Sequence, residues 1–153
     1  MKYRSRKKRP IQGIFYPTQP KKYIGKTPII YRSSWELKFC RWCDLNRNIL
    51  EWSSESVVIP YINPVDGRGH RYFVDNTVVI QEGSLKKKYL IEIKPKKQTI
   101  KPTFSTRKKR STMIYESNMY IQNQAKWEAA KKWSKKKGYK FLILTEDDLF
   151  CNK

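Results

Sequence analysis

Asp75, Glu92 and Lys94 have the residue types and the spacing that metal-assisted chemistry requires. Two carboxylates that oppose each other across a pair of strands repel, and burial raises the pKa of at least one of them unless a cation lies between them. Mg²⁺ suits such a place, because it prefers oxygen ligands and binds through one or two carboxylates, with water and substrate phosphate completing its coordination. A solvated strand face with a cross-strand salt bridge would explain the same residues without chemistry.

A predicted β-hairpin places these side chains. Its arms are Tyr72–Gln81 and Tyr89–Lys94, both rich in β-branched and aromatic residues and separated by a Gly-Ser turn. Counting outwards from that turn pairs Asp75 directly with Glu92. Because side chains alternate along a strand, Lys94 lies on the same face as Glu92, and the other face of the second arm is apolar.

The charge of the chain predicts a polyanionic partner. The 153 residues include 34 Lys and Arg against 13 Asp and Glu, a net charge of +21, which exceeds what solubility requires and favours nucleic acid. The basic residues form clusters along the whole chain, so the folded surface itself should be positive. Near the hairpin, Lys96, Lys97 and Lys126 are the residues that we expect to bind nucleic acid.

The cysteines and the single histidine offer weaker candidates for chemistry. Cys40 and Cys43 form a C-x-x-C, but a zinc site would have to recruit Cys151 and His70 from distant positions, so reduced thiols on a helix are the simpler expectation. His70 could act as an acid or base, although a lone histidine at the end of a loop is more often structural. The odd cysteine count and the lack of a secretory segment favour a reducing compartment. No apolar run reaches the length of a membrane span.

The first half of the chain is predicted to contain an arm and a helix. Residues 1–30 are basic and proline-rich, which predicts an irregular arm, and residues 31–153 form the folded domain. Trp35–Leu45 has an amphipathic stripe, made by Trp35, Phe39, Trp42 and Cys43. Ser33 as N-cap with Glu36 three residues later fits a capping box, which would explain Glu36 without chemistry.

The remaining elements follow from turn signals and periodicity. Val57–Tyr61 is a short strand, and a loop with Pro, Asp-Gly and Gly leads from it to the hairpin. After a basic loop over residues 95–110, Met113–Lys137 is a helix whose predicted apolar face consists of Ile121, Ala125, Ala129 and Trp133. Gly138 is its C-cap, and Tyr139–Leu144 is a buried strand that should lie parallel to a member of the sheet.

This element order resembles the α-β-β-β-α-β core of the PD-(D/E)xK nuclease superfamily, a restriction-endonuclease-like α/β fold with a mixed sheet flanked by helices. Asp75 followed by Glu92-Ile93-Lys94 resembles its D…(D/E)xK motif, with Val74 where the pattern has proline. Across residues 31–145 the sequence is similar to the head completion nucleases of T-even-like phages and, more distantly, to TnsA-type transposase endonucleases. The segments that carry this likeness are 33–37, Leu50–Glu55, 59–61, His70–Asp75 and Ala125–Ala130.

The resemblance implies a metal-dependent DNA endonuclease that hydrolyses phosphodiester bonds in phage head completion after DNA packaging. It implies a Mg²⁺ site, which Mn²⁺ can also fill, formed by Asp75, Glu92 and the Ile93 carbonyl and completed by Glu36, with Lys94 beside the attacking water. No nucleotide cofactor is expected. The implied partners are DNA and portal or head proteins, and the implied location is the host cytoplasm during assembly or the virion head. The alternative is a non-catalytic DNA-binding or portal-plugging structural protein, which the net charge does not distinguish from the enzyme.

Overall fold

The computed structural model describes residues 11–150. In chain order its elements are β1 (Gly13–Phe15), β2 (Ile29–Tyr31), α1 (Ser34–Leu45), β3 (Ile49–Ser54), β4 (Val58–Asn63), β5 (Arg68–Phe73), β6 (Asn76–Glu82), β7 (Leu85–Ile93), α2 (Arg110–Lys137), β8 (Lys140–Leu144) and α3 (Glu146–Leu149). Two short 3₁₀ turns lie at Pro20–Lys22 and Lys96–Gln98. No helix within this part of the chain is both long and apolar enough to cross a membrane.

The main layer is a four-stranded mixed sheet with strand order β3-β6-β7-β8. β3, β6 and β7 are antiparallel neighbours, and β8 lies parallel to β7, as the crossover through α2 predicted. One face packs against α1, where Phe39 and Cys43 meet Ile91. The other face packs against α2 and the β4–β5 hairpin, where Trp127 meets Leu90. The predicted α/β fold with a mixed sheet between helices is confirmed.

The central hairpin has the predicted register but a shorter first arm. Glu82 pairs with Leu85 and Asn76 with Ile91, so counting outwards from the Gly-Ser turn was correct. The prediction of one continuous arm from residue 72 was wrong: Tyr72 belongs to β5, which pairs with β4 in a separate two-stranded sheet. The chain leaves β7 at this point because the Val74 N–H donates to the Val57 carbonyl at 3.1 Å, towards β4.

The N-terminal region is folded over its described part, contrary to the predicted irregular arm. β1 and β2 form a two-stranded antiparallel sheet, and Phe15 and Ile29 belong to the core beside α1. The Phe15 ring meets Trp52 of β3 edge-on, with centroids 5.9 Å apart. β3 was not predicted, and its fully buried Trp52 explains why this strand lies at the centre of the packing. Residues 1–10 of the predicted arm lie outside the described residues.

α1 begins as predicted, but its buried face differs. The Ser33 hydroxyl accepts the Glu36 N–H at 3.1 Å, which confirms the N-cap. The capping box is incomplete, because the Glu36 carboxylate accepts the N–H of Arg32, at 2.8 Å, instead of that of the N-cap residue. Trp42 is 46% exposed, whereas Cys40 is buried. The helical periodicity predicted Trp42 on the buried face of α1. Cys40 is buried instead, because its side chain is small enough to pack against the sheet.

α2 ends as predicted at Gly138, which has the left-handed φ of 76° typical of a helix C-cap. Its buried face was misassigned. The buried residues are Asn123, Trp127, Ala130 and Ser134, while Ile121 is 43% exposed, and the other three residues of the predicted face are only partly buried. The apolar pattern pointed to the wrong side because two polar residues, Asn123 and Ser134, occupy the buried one.

Candidate active site

The candidate site forms where β6 begins and β7 ends. The register of the hairpin would pair Ile93 with Val74, but the Val74 N–H is bonded to β4 instead. The Asp75 carboxylate takes the vacant place, and its Oδ2 accepts the Ile93 N–H at 2.7 Å. The N–H and C=O of one strand residue point to the same neighbouring strand, so the Ile93 carbonyl also faces Asp75. In a continued ladder this carbonyl would accept the Val74 N–H, which is bonded to Val57 instead. A carboxylate and a free carbonyl therefore meet at the end of the sheet.

Glu92 lies beside them and is buried, with only 4% of its surface exposed. The Tyr72 hydroxyl donates to its Oε2 at 2.6 Å, and the Lys94 Nζ lies 3.4 Å from its Oε1. The predicted proximity of Lys94 to Glu92 is confirmed. The alternative of a solvated strand face is wrong, because α2 and the β4–β5 hairpin cover this face of the sheet.

The electrostatics of the site show a concentration of negative charge that the protein only partly balances. Burial, and after it the nearby Glu92 carboxylate, raise the pKa of Asp75 well above its usual value. Burial and Glu92 also raise the pKa of Tyr72, so its phenol keeps the proton that it donates. Lys126 reaches the site from α2, with its Nζ 5.5 Å from the centroid of the Tyr72 ring, and burial followed by Lys94 lowers its pKa.

Glu36 lies near this pair without joining it. Its Oε2 accepts the Arg32 N–H, and its carboxylate contributes to the raised pKa of Asp75. Burial raises the pKa of Glu36 itself. Across residues 11–150, no group of three or more His, Cys, Asp and Glu side chains could hold a metal ion together. A metal ion at this place would therefore have at most two ligands from these side-chain types in the described part of the chain.

Other candidates lie away from the pair. Lys96 forms an ion pair with Asp147 of α3 at 2.8 Å, and Lys97 lines a cleft beside α2. His70 bonds to Asp66 on the β4–β5 hairpin at 2.7 Å, as a structural histidine would. Cys40 is a buried free thiol whose pKa burial raises to about 12, which does not suit a metal ligand. Cys151, required for the alternative zinc site, lies outside the described residues.

Sequence reasoning missed Tyr72 and Glu55 as supports of the site. In the single arm that the sequence predicts, Tyr72 would lie beyond the end of β7, so nothing local could pair it with Glu92. Glu55 occupies the left-handed region, with φ of 51°, and its N–H donates to the Asp75 carbonyl at 2.9 Å. A non-glycine residue in this conformation is uncommon, which indicates that the turn after β3 is held in place to position Asp75.

The donor set fits a hard divalent cation. Asp75 and Glu92 each have one oxygen bonded to a protein N–H or O–H, which fixes their orientation, and the second oxygen of Glu92 lies beside Lys94. The Ile93 carbonyl supplies a third oxygen donor. Oxygen ligands in this small number are typical of Mg²⁺, which keeps water and substrate phosphate in its other positions. The negative charge that raises the pKa of Asp75 is the charge that such an ion would neutralise.

A two-carboxylate site with a lysine at the end of a mixed α/β sheet defines a class of nucleic-acid-cleaving domains, and the comparisons with known proteins agree. The sequence model of the family described as TnsA-like endonuclease N terminal matches residues 46–146, which include Asp75, Glu92 and Lys94. The chain belongs to this family. It is also 40% identical, over 141 residues, to the head completion nuclease of Enterobacteria phage T4, an alignment that covers 90% of this chain and 92% of that protein.

Proposed function

We propose that this protein is a metal-dependent endonuclease that hydrolyses phosphodiester bonds in DNA. The pair of Asp75, which is partly buried, and Glu92, which is buried, next to the Ile93 carbonyl and Lys94, is the observation that carries the proposal. A protein without chemistry at this place would have no physical reason to bury two repelling carboxylates, because apolar residues of similar volume are at least as stable there. The net charge of +21 supports a polyanionic substrate.

Each residue of the site has a role in this proposal. Asp75, Glu92 and the Ile93 carbonyl would hold Mg²⁺, for which Mn²⁺ could substitute, and the ion would supply Lewis acidity and lower the pKa of a water molecule. Lys94 stabilises negative charge that develops on the phosphate, because its ammonium group already lies beside Glu92. Tyr72 keeps Glu92 in one orientation.

Glu36 completes the site in our proposal, as a carboxylate that acts through water or on the charge of Asp75. Both of its oxygens already accept a hydrogen bond, Oε2 from the Arg32 N–H and Oε1 from the Ser33 hydroxyl, so direct coordination would require it to give up one of them. Glu36 therefore has both a structural and a functional role to test, and a Gln substitution separates them because Gln can still accept that N–H.

DNA binding is assigned to the basic surface around the site. Lys126 is nearest to the carboxylates, and Lys96 and Lys97 follow the end of β7. Contacts to phosphates release counterions, so log K should fall by about 0.9 for each contact with duplex DNA per unit of log salt. Nothing in the sequence resembles a recognition helix, so base discrimination in duplex DNA should be small.

The biological role is proposed from the T4 relative. That relative is named for head completion, and this chain matches nearly its whole length. We propose that this protein acts at the same stage, after DNA packaging, in the host cytoplasm during assembly or in the virion head. Portal or head proteins are then its protein partners, because a completion step takes place on an assembled head.

The experiment is cleavage of supercoiled plasmid with Mg²⁺ and with EDTA. Wild type should nick or linearise the plasmid only with Mg²⁺, and Asp75→Ala and Glu92→Ala should abolish cleavage while binding DNA as well as wild type or better. Glu82→Gln is the matched control, since Glu82 is an exposed carboxylate at the turn end of the same hairpin, and it should cleave normally. Firm binding without any cleavage by the wild type would favour the structural, non-catalytic alternative.

A further inference from the structure

A cleft lies between the loop that follows β7 and the first half of α2. It has a volume of about 440 Å³, which is within the range of sites for small molecules or single nucleotides. Its walls include apolar and aromatic side chains, and its rim is basic. The wall residues include Ile100, Pro102, Tyr115, Met119 and Tyr120, and the rim lysines are Lys97, Lys101 and Lys108.

The cleft contains a polar group that lacks a partner. Asn123 is 2% exposed and lines the cleft, and its Oδ1 has no hydrogen-bond partner among residues 11–150. Nearly all buried polar atoms in folded proteins are bonded, so an orphaned amide oxygen calls for an explanation. A ligand that donates a hydrogen bond from a flat polar edge would supply the missing partner.

The position of the cleft links it to the carboxylate pair. Asn123 precedes Lys126 by three residues on α2, which places the two on the same side of the helix about 4.5 Å apart along its axis. Lys97 follows Lys94 by three residues on the other wall. The cleft therefore lies on the side of α2 that carries Lys126, and its lysine wall continues the segment that carries Lys94.

The charge of the cleft selects the class of ligand. Among the residues 11–150 that line it, the one acidic residue is Glu116, which is bonded to Lys108 at 2.8 Å, so within this part of the chain the other two rim lysines have no acidic partner in the cleft. A suitable ligand is flat and apolar to pack against the walls, has hydrogen-bond donors on its edge for Asn123, and carries negative charge for the rim lysines. A nucleobase with its flanking phosphates has this chemistry, and aromatic side chains stack on every base.

We propose, resting on the proposed function, that this cleft binds one unstacked nucleobase of the DNA strand that is cut, next to the scissile phosphate. A base must leave its stack to enter, and this costs least where the nucleotide is already unpaired. The protein therefore prefers DNA with an unpaired nucleotide, such as a bulge or a frayed end, to a perfect duplex.

The test measures the affinity of the full-length protein for three DNAs, by fluorescence anisotropy in EDTA so that no cleavage occurs. The DNAs are a perfect duplex, the same duplex with a single-nucleotide bulge, and the bulged duplex with an abasic bulged nucleotide. Wild type should bind the bulged duplex about tenfold more tightly than the other two, in line with the contribution of one stacked base. Equal affinity for the three DNAs, or for the normal and abasic bulges, overturns the proposal.

Two neighbouring variants localise the effect. Tyr115 and Ile114 are 65% and 51% exposed, so neither Ala substitution should harm folding, and of these two only Tyr115 lines the cleft. Tyr115→Ala should lose most of the preference for the bulge, whereas Ile114→Ala should keep it. A Tyr115→Ala protein that discriminates like wild type refutes the assignment.

The two proposals fail in different ways. Mg²⁺-dependent cleavage without a preference for the bulge leaves the nuclease and removes the base-binding cleft. A preference that depends on Tyr115, in a protein that cleaves no DNA, leaves the cleft and removes the nuclease. A protein that binds none of the three DNAs overturns both.

Discussion

Asp75→Asn should stabilise this protein while it abolishes cleavage. Asparagine has nearly the shape of aspartate, and its amide oxygen can still accept the Ile93 N–H that Asp75 Oδ2 accepts at 2.7 Å. The substitution removes one of two like charges that are partly or fully buried. Active sites typically contain residues that are required for function although they lower the stability of the fold.

The size of the effect follows from two opposing contributions. After burial, the charge of Glu92 is the largest cause of the raised pKa of Asp75, and two charges about 5 Å apart repel by about 3 kcal/mol at an effective dielectric constant of about 20. Against this, a hydrogen bond to a neutral acceptor is about 1 kcal/mol weaker than one to a carboxylate. The net gain is about 2 kcal/mol, which in a domain of this size raises Tm by about 4–8 °C.

The assay is thermal unfolding at pH 7 in EDTA and then in Mg²⁺. In EDTA the Asn variant should melt above wild type. Mg²⁺ at ten times its Kd should stabilise wild type by about 1.4 kcal/mol and should leave the variant unchanged. Glu51→Gln, which changes an exposed carboxylate on β3, is the control and should behave like wild type in both conditions.

The same comparison has a defined dependence on pH. Because burial and Glu92 raise the pKa of Asp75 in the folded state, its protonation favours folding, and the wild type loses stability as pH rises through that pKa. The advantage of the Asn variant should therefore be present at pH 7 and disappear below about pH 4, the pKa of an unfolded aspartate. An Asn variant that melts at or below wild type in EDTA at pH 7 would refute the charge repulsion on which our description of the site depends.

Three further substitutions test the supports of the site. Tyr72→Phe removes the donor to Glu92, so it should lower the free energy of unfolding, measured by chemical denaturation, by about 1.5–3 kcal/mol. It should also raise the Mg²⁺ concentration required for half-maximal cleavage. Unchanged values would contradict a positioning role for Tyr72. Glu36→Gln should keep Tm within about 2 °C, because Ser33 still caps α1, and should reduce cleavage rates severely if Glu36 acts in the site. Burial raises the pKa of Asp44, but three hydrogen bonds from Thr18 and Gln19 outweigh it and lower that pKa overall. Asp44→Asn weakens these hydrogen bonds, so the variant should be less stable than wild type at pH 7. This difference in stability should disappear as the pH falls below about 4, where wild-type Asp44 becomes protonated.

The sequence by itself determined the local geometry around the hairpin turn. A two-residue Gly-Ser turn leaves few registers open, and the alternation of side chains then assigns Glu92 and Lys94 to one face, as the structure confirms. The N-cap at Ser33 and the C-cap at Gly138 were equally local, because each depends on hydrogen bonds within one helical turn. Predictions of this kind require only the backbone and a few adjacent side chains.

Only the tertiary structure decided how the chain leaves the sheet at Asp75. That exit depends on hydrogen bonds from Val74 to Val57 and from Glu55 to Asp75, and it brings Tyr72 onto Glu92, twenty residues along the chain. The burial of the N-terminal sheet and of β3 likewise depends on Phe15 meeting Trp52. Contacts between such distant residues have no period and no turn signal in the sequence, since their stability comes from surfaces that exist only once the other elements have packed.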